Sequence, residues 1–320
     1  MWFKNLRLYC LTKPFDSSMD DLQAALADKP FRPCNSYERS TMGWVGPIGS
    51  NSANAGDDKE TIYSHAVGDY IMLCAKRQDR LLPASVIREA ADAKIMEIEE
   101  RQARKIYRKE KKQIQEDMGA TLLPQAFTRS QLTHAYLSPK ENLLVVNAAA
   151  PAKAEEFVSL LRDTLGTFPV GLPNSKRAPS DVMTRWLKNH KASNNFEISE
   201  DCELFNPLDG SNVVRCKGQD LSSDEITAHI DAGKQAKNLG VLWNNILSCN
   251  IGDDLSIKRL RFEEMKEENP SFTEESKAQK FDQEFALMTL ELSSFFDSLF
   301  AAFGGLDDPR KMVKVDDSES

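Results

Sequence analysis

Hydrophobic and polar residues alternate in several short stretches of the chain, which is the pattern of β-strands. Near the N-terminus, Leu6, Leu8 and Cys10 share one face of residues 2–11, while the other face is mostly polar. This segment is therefore predicted to be a strand with one buried and one solvent-exposed face. Further strands are predicted at residues 69–76, 132–137, 143–147, 246–251 and 255–262, the last four forming two hairpins.

Other stretches repeat their hydrophobic residues every three or four positions, which predicts helices. Residues 84–118 would form one helix about 50 Å long, which is unusual for a globular protein and is predicted to project. The helix at residues 222–243 would begin with a capping box of Ser222 and Glu225. The remaining helices are predicted at residues 16–26, 152–165, 180–189 and 276–303.

The last predicted helix carries an aromatic stripe at alternating steps of four and three residues. This spacing favours a position in the core, and a contact between two copies of the chain is the alternative. Because strands are too numerous for an all-α fold, the chain is predicted to be an α+β protein with mixed antiparallel sheets. The stripe consists of Phe281, Phe285, Met288, Leu292, Phe295, Leu299 and Phe303.

Proline and glycine are concentrated at residues 169–179, and this segment is the predicted boundary between two halves. The N-terminal half, residues 1–175, would contain the long helix, and the C-terminal half, residues 176–306, would end in the aromatic helix. Residues 307–320 are polar without periodicity and are predicted to be a disordered tail. Residues 43–59 also lack periodicity and are predicted to be an exposed loop.

The composition of the 320-residue chain is that of an ordinary globular protein, with 41% hydrophobic and 28% charged residues. Its six cysteines lie far apart without a CxxC pair, so neither a zinc ribbon nor a disulfide framework is predicted. The first residues lack the apolar core of a signal peptide, and the sequence has no run of 18 apolar residues. The expected location is therefore the cytoplasm, away from membranes.

The formal net charge of −8 hides a strong segregation of charge. Residues 101–112 contain seven basic residues and one acidic residue, which on one long helix would form a stripe. Met96, Ile106 and Tyr107 would belong to the opposite, apolar face, which could dock on the protein body. Carboxylates at i,i+4 are nearly absent, which favours a polyanion as partner over a solvated helix face. The candidate DNA-binding residues are Lys94, Arg101, Arg104, Lys105, Arg108, Lys109, Lys111 and Lys112.

Sequence motifs for catalysis are weak or absent. The chain contains no GxxxxGK[ST], GxGxxG or GxSxG sequence, and its four histidines show no metal-binding spacing. Asp254 with Glu264 and Lys266 resembles the acidic residue and ExK of metal-dependent nucleases. Because an ExK sequence arises easily in a segment rich in Glu and Lys, no catalytic residue, metal or cofactor is predicted.

Several phrases of the sequence, taken in order along the chain, resemble one known family. They are MWFKNLRLYCLT at the start, MGWVGPIGS from Met42, LLPASVIREAADAKI from Leu81, LLPQAFTRS from Leu122, KGQDLSSDEITAHIDAGK from Lys217 and SIKRLRF from Ser256. These phrases are similar to those of the recombination-associated protein RdgC family, and the resemblance covers residues 1–305. Residues 51–60 and 307–320 depart from the family pattern, so nothing is carried over to them.

The resemblance implies a nucleoid-associated protein that binds DNA without sequence specificity and restrains strand exchange by RecA. It also implies a ring-shaped homodimer whose positively charged hole encircles duplex DNA, and single-stranded DNA is a further expected ligand. On the resemblance alone, Phe127, Lys217 and Gln219 are candidates for the dimer interface. The alternative for Phe127 is a core position after Pro124.

Three hypotheses about function remain at this point. The first is a non-catalytic DNA-binding ring in which Lys and Arg contact phosphates and no base is read. The second is a metal-dependent exonuclease, which would need carboxylates that converge on the DNA channel. The third is a protein-interaction module that meets RecA directly through the aromatic helix.

Overall fold

One antiparallel sheet runs through the computed structural model, which describes residues 2–48, 61–193, 195–263 and 274–307. The predicted α+β class is confirmed. The strands of the described residues are β1 (Leu6–Leu11), β2 (Ser40–Val45), β3 (Ser64–Val67), β4 (Tyr70–Arg80), β5 (Thr128–Ser138), β6 (Leu143–Asn147), β7 (Val170–Gly171), β8 (Phe196–Asn206), β9 (Asp209–Cys216), β10 (Gln235–Trp243), β11 (Leu247–Gly252) and β12 (Ile257–Phe262). The helices are α1 (Met19–Ala27), α2 (Ala84–Gln102), α3 (Arg108–Leu122), α4 (Pro151–Leu165), α5 (Pro179–Lys188), α6 (Asp224–Asp231) and α7 (Glu274–Ala302).

Strand β1 lies in the middle of the sheet. The strand order is β2-β4-β5-β6-β1-β12-β11-β10-β8-β9, with β3 added to β4 and β7 added to β1. The two sides meet at a short junction, where Leu6 of β1 pairs with Ile257 of β12 and the Leu260 N–H donates to the Lys4 carbonyl at 2.9 Å. The division of the chain into two domains at residue 175 stays a prediction.

Both faces of β1 are buried, so the prediction of one solvent-exposed face is wrong. Leu8 and Cys10 belong to a core that includes the aromatic residues of α7, whereas Tyr9 and Leu11 belong to a second core beneath α1 and α4. Arg7 is also buried, with 8% of its surface exposed. The alternation along β1 therefore distributes residues between two cores instead of between core and solvent.

The aromatic stripe of α7 is a core element, as the sequence favoured. Phe285, Phe295 and Phe303 are buried, and the rings of Phe295 and Trp243 meet edge to face with their centroids 5.7 Å apart. By length and composition, Gln279–Ala302 would be able to cross a bilayer, but its apolar stripe packs into the core of the protein. The buried stripe therefore offers no surface for direct contact with RecA, whereas Leu287 and Leu290 elsewhere on α7 are exposed, and contact through this helix stays a prediction.

The helix predicted at residues 222–243 is much shorter in the structure. After α6, Gly233 adopts a positive φ of 89° and the chain continues as strand β10, which buries Val241 in the core. The capping box is not formed, because the Ser222 hydroxyl donates to Asp220 at 2.7 Å. Here the burial of alternate residues in the sheet overrides a local helical pattern.

The long helix predicted at residues 84–118 is broken, and its two parts pack against each other as α2 and α3. Ala103 takes a left-handed conformation, φ 48° and ψ 34°, which ends α2 before the chain reverses. A Cβ on Gly119 of α3 would lie 3.7 Å from the Ile87 side chain of α2, so the helices approach closely. A hairpin buries the apolar residues that a single projecting helix would leave in water. The core of this hairpin consists of Ala91, Ile95, Ile106 and Ile114.

The other predicted elements agree with the structure to within a few residues. Hairpins β5–β6 and β11–β12 form as predicted, as do helices α1, α4, α5 and α7. Strands β2, β3, β7, β8 and β9 are additional, and β2 extends into the first residues of the segment that was expected to be a loop. Residues 49–59 of that loop and residues 308–320 of the expected tail lie outside the described residues.

Candidate nucleic-acid interface

The turn between α2 and α3, residues 103–107, is held in place by side-chain contacts. Ile106 is buried between the helices, and its N–H donates to Glu99 Oε1 at 2.8 Å. The Arg104 guanidinium forms a two-pronged pair with the Glu110 carboxylate, with N–O distances of 2.7 and 2.8 Å. The turn is therefore an ordered surface and not a loose loop.

Three of the eight candidate cations are paired with carboxylates of the hairpin. Besides Arg104, Lys94 lies 2.7 Å from Glu97 and Lys112 lies 3.6 Å from Glu116. The hydrogen bond and the charge of Lys94 lower the pKa of Glu97. The prediction concerned carboxylates at i,i+4, and among these three pairs only Lys112–Glu116 has that spacing, whereas the other two pairs are three and six residues apart.

The other five candidate cations form no ion pair within 4 Å in the part of the chain that the structure describes, although the charge of Arg101 also lowers the pKa of Glu97. All five side chains are exposed. Because the long helix is broken, they do not form the predicted single stripe, and the chain reversal gathers them around one end of the hairpin. This set is called the basic tip below and consists of Arg101, Lys105, Arg108, Lys109 and Lys111.

Helix α3 begins within the basic tip, and no side chain caps its first turn. The unpaired N–H groups at a helix N-terminus carry a partial positive charge, which adds to the charges of Arg108 and Lys109. These two residues and Lys111 also line a shallow open depression. The surface can therefore accept phosphate oxygens at several points.

Two residues assigned to the apolar face of the long helix lie on the surface instead. Met96 and Tyr107 are exposed, whereas Ile106 is buried as predicted. The reversal of the chain explains the exposure of Tyr107, because residues on both sides of a turn do not follow one helical periodicity, whereas Met96 lies within α2 and outside its buried positions Ala91 and Ile95. The ring of Tyr107 is consequently presented beside the cations of the basic tip.

Elsewhere on the surface, cations are often paired. Arg77 lies 2.6 Å from Glu156, and Arg259 lies 2.6 Å from Asp201. Such exposed pairs contribute little to stability, but they reduce the local positive potential. The basic tip is the densest run of unpaired cations in the described sequence.

Arg80 anchors the base of the hairpin. Its guanidinium donates to the Asn35 carbonyl at 3.0 and 3.2 Å. It also donates to the carbonyls of Leu123, Pro124 and Ala126 at 3.1 to 3.3 Å. The last three carbonyls belong to the turn between α3 and β5, so Arg80 positions the hairpin relative to the sheet.

Replacement of Arg80 by leucine is expected to lower the free energy of unfolding by about 2 kcal/mol, because two partly buried carbonyls, of Leu123 and Ala126, lose a charged donor. Urea denaturation measures this loss. The matched control is Arg88→Leu, since Arg88 is an exposed residue of α2 with no ion pair among the described residues. Equal urea midpoints for Arg80→Leu and the wild type would contradict the assigned role.

Phe127 follows the turn that Arg80 holds, and 85% of its surface is exposed. This exposure excludes the alternative that Phe127 is a core residue of the single chain. The Phe127 carbonyl accepts a hydrogen bond from the Leu81 N–H at 2.7 Å, so the backbone at this position is fixed to the sheet. A large exposed aromatic residue on a fixed backbone is suited to a protein contact, and its place in a dimer interface stays a prediction.

The other two interface candidates lie beyond β9, the strand at the far end of the sheet order. Lys217 is exposed, and Gln219 Nε2 donates to Glu225 Oε2 at 3.0 Å. Among the described contacts, none joins either residue to Phe127. The three candidates therefore do not form one surface patch through direct contact, and their interface role remains untested.

Asp254, the nuclease-like residue, is engaged at the central junction of the sheet. Its Oδ2 accepts from Arg7 Nη1 at 2.5 Å, and its Oδ1 accepts from the Ser256 N–H at 3.1 Å. Burial alone would raise the pKa of Asp254, but the hydrogen bonds from Ser256 and Arg7 lower it overall. Glu264 and Lys266 of the ExK sequence lie outside the described residues.

Side chains that often bind metals are dispersed. Among the described residues, no group of three or more His, Cys, Asp or Glu side chains is placed to hold a metal ion. His65 Nε2 lies 2.6 Å from Asp282 Oδ1, and burial lowers the pKa of His134 to about 4. All six cysteines are free thiols. The contacts that the structure gives these histidines and cysteines are those of packing and pairing.

Sequence patterns did not reveal the roles of Arg7 and Arg80. Both arginines bind partners far away in the sequence, and a local pattern carries no signal for such contacts. An arginine within an otherwise apolar strand, as at Arg7, is a signal of a buried ion pair that could have been used. For Tyr107, a signal was present in its position within the basic run, but the assumption of one continuous helix assigned it to the buried face.

The structure thus defines an α+β protein with one central antiparallel sheet and a basic helical hairpin that contacts chiefly itself and the turn at its base. Residues 1–306 match a family model described as "Putative exonuclease, RdgC". Proteins named Recombination-associated protein RdgC are similar over nearly their whole length. The one from Aeromonas hydrophila is 39% identical over 306 residues, which cover 95% of this chain and 98% of the relative.

A second relative, from Tolumonas auensis, is 41% identical over 307 residues, which cover 95% of this chain and 99% of the relative. A third, from Pseudomonas aeruginosa, is 39% identical over 311 residues, which cover 97% of this chain and 99% of the relative. The chain therefore belongs to the RdgC family of recombination-associated proteins, and the resemblance found in the sequence is confirmed.

Proposed function

We propose that this protein binds DNA without sequence specificity and that the basic tip makes the principal phosphate contacts. The observation that carries the proposal is the group of five exposed, unpaired cations on an ordered turn of a chain whose net charge is −8. Lysine and arginine side chains that contact phosphates position a protein on DNA, but they do not read the bases. The relatives' name links the family to recombination, which is a process of DNA.

Salt titration of DNA binding tests this proposal. Each phosphate contact contributes about −0.9 to the slope of log affinity against log salt for duplex DNA, so five contacts give a slope of about −4 to −5. Filter binding with several unrelated duplexes should give the same slope and similar affinities. Failure to retain any duplex at low salt, or retention of one sequence alone, would contradict the proposal.

We also propose how the protein assembles on DNA and how it affects recombination. Two copies would form a ring around duplex DNA in the cytoplasm, with positive surfaces toward the DNA and the acidic remainder of the chain outside. The protein would also bind single strands and compete with RecA for DNA, so that strand exchange falls in proportion to the DNA that is covered. The exposure of Phe127 supports the dimer by providing a large apolar contact residue.

The alternative function is that of a metal-dependent exonuclease acting on DNA, which is the activity that the description of the family model names. Such an enzyme needs carboxylate oxygens that are free to bind a cation. Both oxygens of Asp254 already accept hydrogen bonds within the sheet junction. A structural role for Asp254 is therefore better supported than a catalytic role, and no cofactor is proposed.

Replacement of Asp254 by alanine separates the two functions. We expect the free energy of unfolding to fall by about 2 kcal/mol, less than the ~3–5 kcal/mol for a fully buried pair because the Asp254 carboxylate is partly exposed. End-labelled DNA should stay intact for hours with Mg²⁺ or Mn²⁺ and either protein. Release of nucleotides by the wild type, lost in a folded Asp254→Ala variant, would support the exonuclease instead.

A further inference from the structure

Tyr107 is an exposed aromatic residue in a rigid setting. Its side chain is 79% exposed, although the adjacent Ile106 is anchored in the hairpin core. The hydrogen bond from the Ile106 N–H to Glu99 and the extended backbone of Tyr107, φ −89° and ψ 167°, keep the ring on the outside. The backbone that carries the ring therefore loses little conformational freedom when a ligand binds.

The surroundings of this ring are cationic. Tyr107 lies between Lys105 and Arg108 in the sequence, and it lines the same shallow depression as Arg108, Lys109 and Lys111. A flat aromatic surface next to unpaired cations matches a ligand that has both flat rings and negative charges. Single-stranded DNA has this chemistry, because its bases are free to stack and its phosphates follow at each nucleotide.

Duplex DNA matches the ring less well. Its base faces are covered by their neighbours in the stack, so an aromatic side chain reaches them only after bases have been unstacked, at a cost of a few kcal/mol. The lysines and arginines of the basic tip have no such restriction, because the phosphates of both forms of DNA are accessible. Loss of the ring should therefore weaken binding to single-stranded DNA alone, whereas loss of the cations should weaken binding to both forms of DNA.

We propose that Tyr107 is a stacking platform for an unpaired base and gives the basic tip a preference for single-stranded DNA. Arg108, Lys109 and Lys111 hold the phosphates that flank the stacked base. This inference rests on the proposed DNA binding and deepens it, since it names the form of DNA that the hairpin recognises.

The test compares a single strand of thymidines with an abasic strand of the same length, which has the same phosphates without bases. By fluorescence anisotropy, wild-type protein should bind the thymidine strand about 5- to 100-fold more tightly, the range for stacking one base on an aromatic side chain. Tyr107→Ala should remove most of this preference, and Tyr107→Phe should retain it. Duplex affinity and its salt slope should be the same in all three proteins.

A matched control is Tyr37→Ala, which removes a tyrosine that is 81% exposed. Tyr37 lies two residues after Asn35, whose carbonyl binds Arg80 at the base of the hairpin, and α2 separates base and tip by roughly 28 Å. The control should therefore keep the preference for bases. Thermal unfolding of both variants should match the wild type.

Three outcomes would overturn the inference and leave the proposed function intact. The first is that wild-type protein binds thymidine and abasic strands equally well, and the second is that Tyr107→Ala keeps the wild-type preference. If Tyr107→Ala loses duplex affinity by the same factor as single-strand affinity, the residue acts on the fold of the tip and the stacking role is wrong. Wild-type protein that binds no DNA at low salt would overturn both proposals.

Discussion

Replacement of Lys105, Lys109 and Lys111 by glutamate in one variant is expected to weaken binding to duplex DNA by about 100-fold or more at 0.1 M salt. Three lost phosphate contacts reduce the salt slope by about 2.7, so these contacts together account for a loss of about 500-fold at 0.1 M salt relative to a 1 M reference. The reversed charges add repulsion. Filter binding at several salt concentrations measures both the affinity and the slope.

The matched control reverses three exposed cations that lie outside the hairpin. Lys13, Arg162 and Lys191 have no ion pair among the described residues, and their replacement by glutamate changes the net charge by the same amount. If the basic tip is the DNA site, the control should lose much less affinity than the hairpin variant. Equal losses for the two variants would show that net charge alone matters and that the tip is a solvated surface.

If two copies form the proposed dimer, replacement of Phe127 by serine is expected to convert it into a folded monomer. Because the side chain is 85% exposed in one chain, its loss should leave the fold and the far-UV spectrum unchanged. Loss of a large aromatic residue from the centre of an interface commonly costs 2 kcal/mol or more, which is about a 30-fold loss in affinity. Analytical ultracentrifugation at low micromolar concentration measures the change.

The matched control is Leu172→Ser, since Leu172 is an apolar residue that is 61% exposed at a site distant in sequence from the hairpin. The control should sediment like the wild type. A Phe127→Ser protein that stays dimeric would rule out the predicted interface at this residue, and one that unfolds would show a structural role that the exposure of the side chain does not explain.

Local sequence patterns predicted the elements whose stability is local. The hairpin β11–β12 has alternating apolar residues on both sides of a short turn, and α4 ends at Gly166, which has a positive φ of 73°. Strand β9 was missed because it lies at the edge of the sheet and most of its residues are polar and exposed.

The break between α2 and α3 could not be predicted from the local pattern for two reasons. Ala103 adopts a left-handed conformation that is normally signalled by glycine, so the sequence carries no stop signal at this position. The energy that favours the break comes from burial of Ile106 and Ile114 between the two helices, which depends on tertiary contacts.

The candidate site was predicted as a set of residues but not as a geometry. The run of cations at residues 101–112 was evident from charge alone, and five of its members form the basic tip. Arg104 is different, because it pairs with Glu110 six positions away, a spacing that a turn permits and a continuous helix does not. The hairpin therefore decides which cations are paired and which are available to DNA.

Mapping of DNA–protein crosslinks tests the central claim most directly. Duplex DNA that carries a photoreactive base analogue would be irradiated with the wild-type protein at low salt, and the attached peptides would be identified by mass spectrometry. We expect the crosslinks to concentrate in residues 101–112, around the turn between α2 and α3. Crosslinks confined to the sheet, with none in the hairpin, would contradict the account.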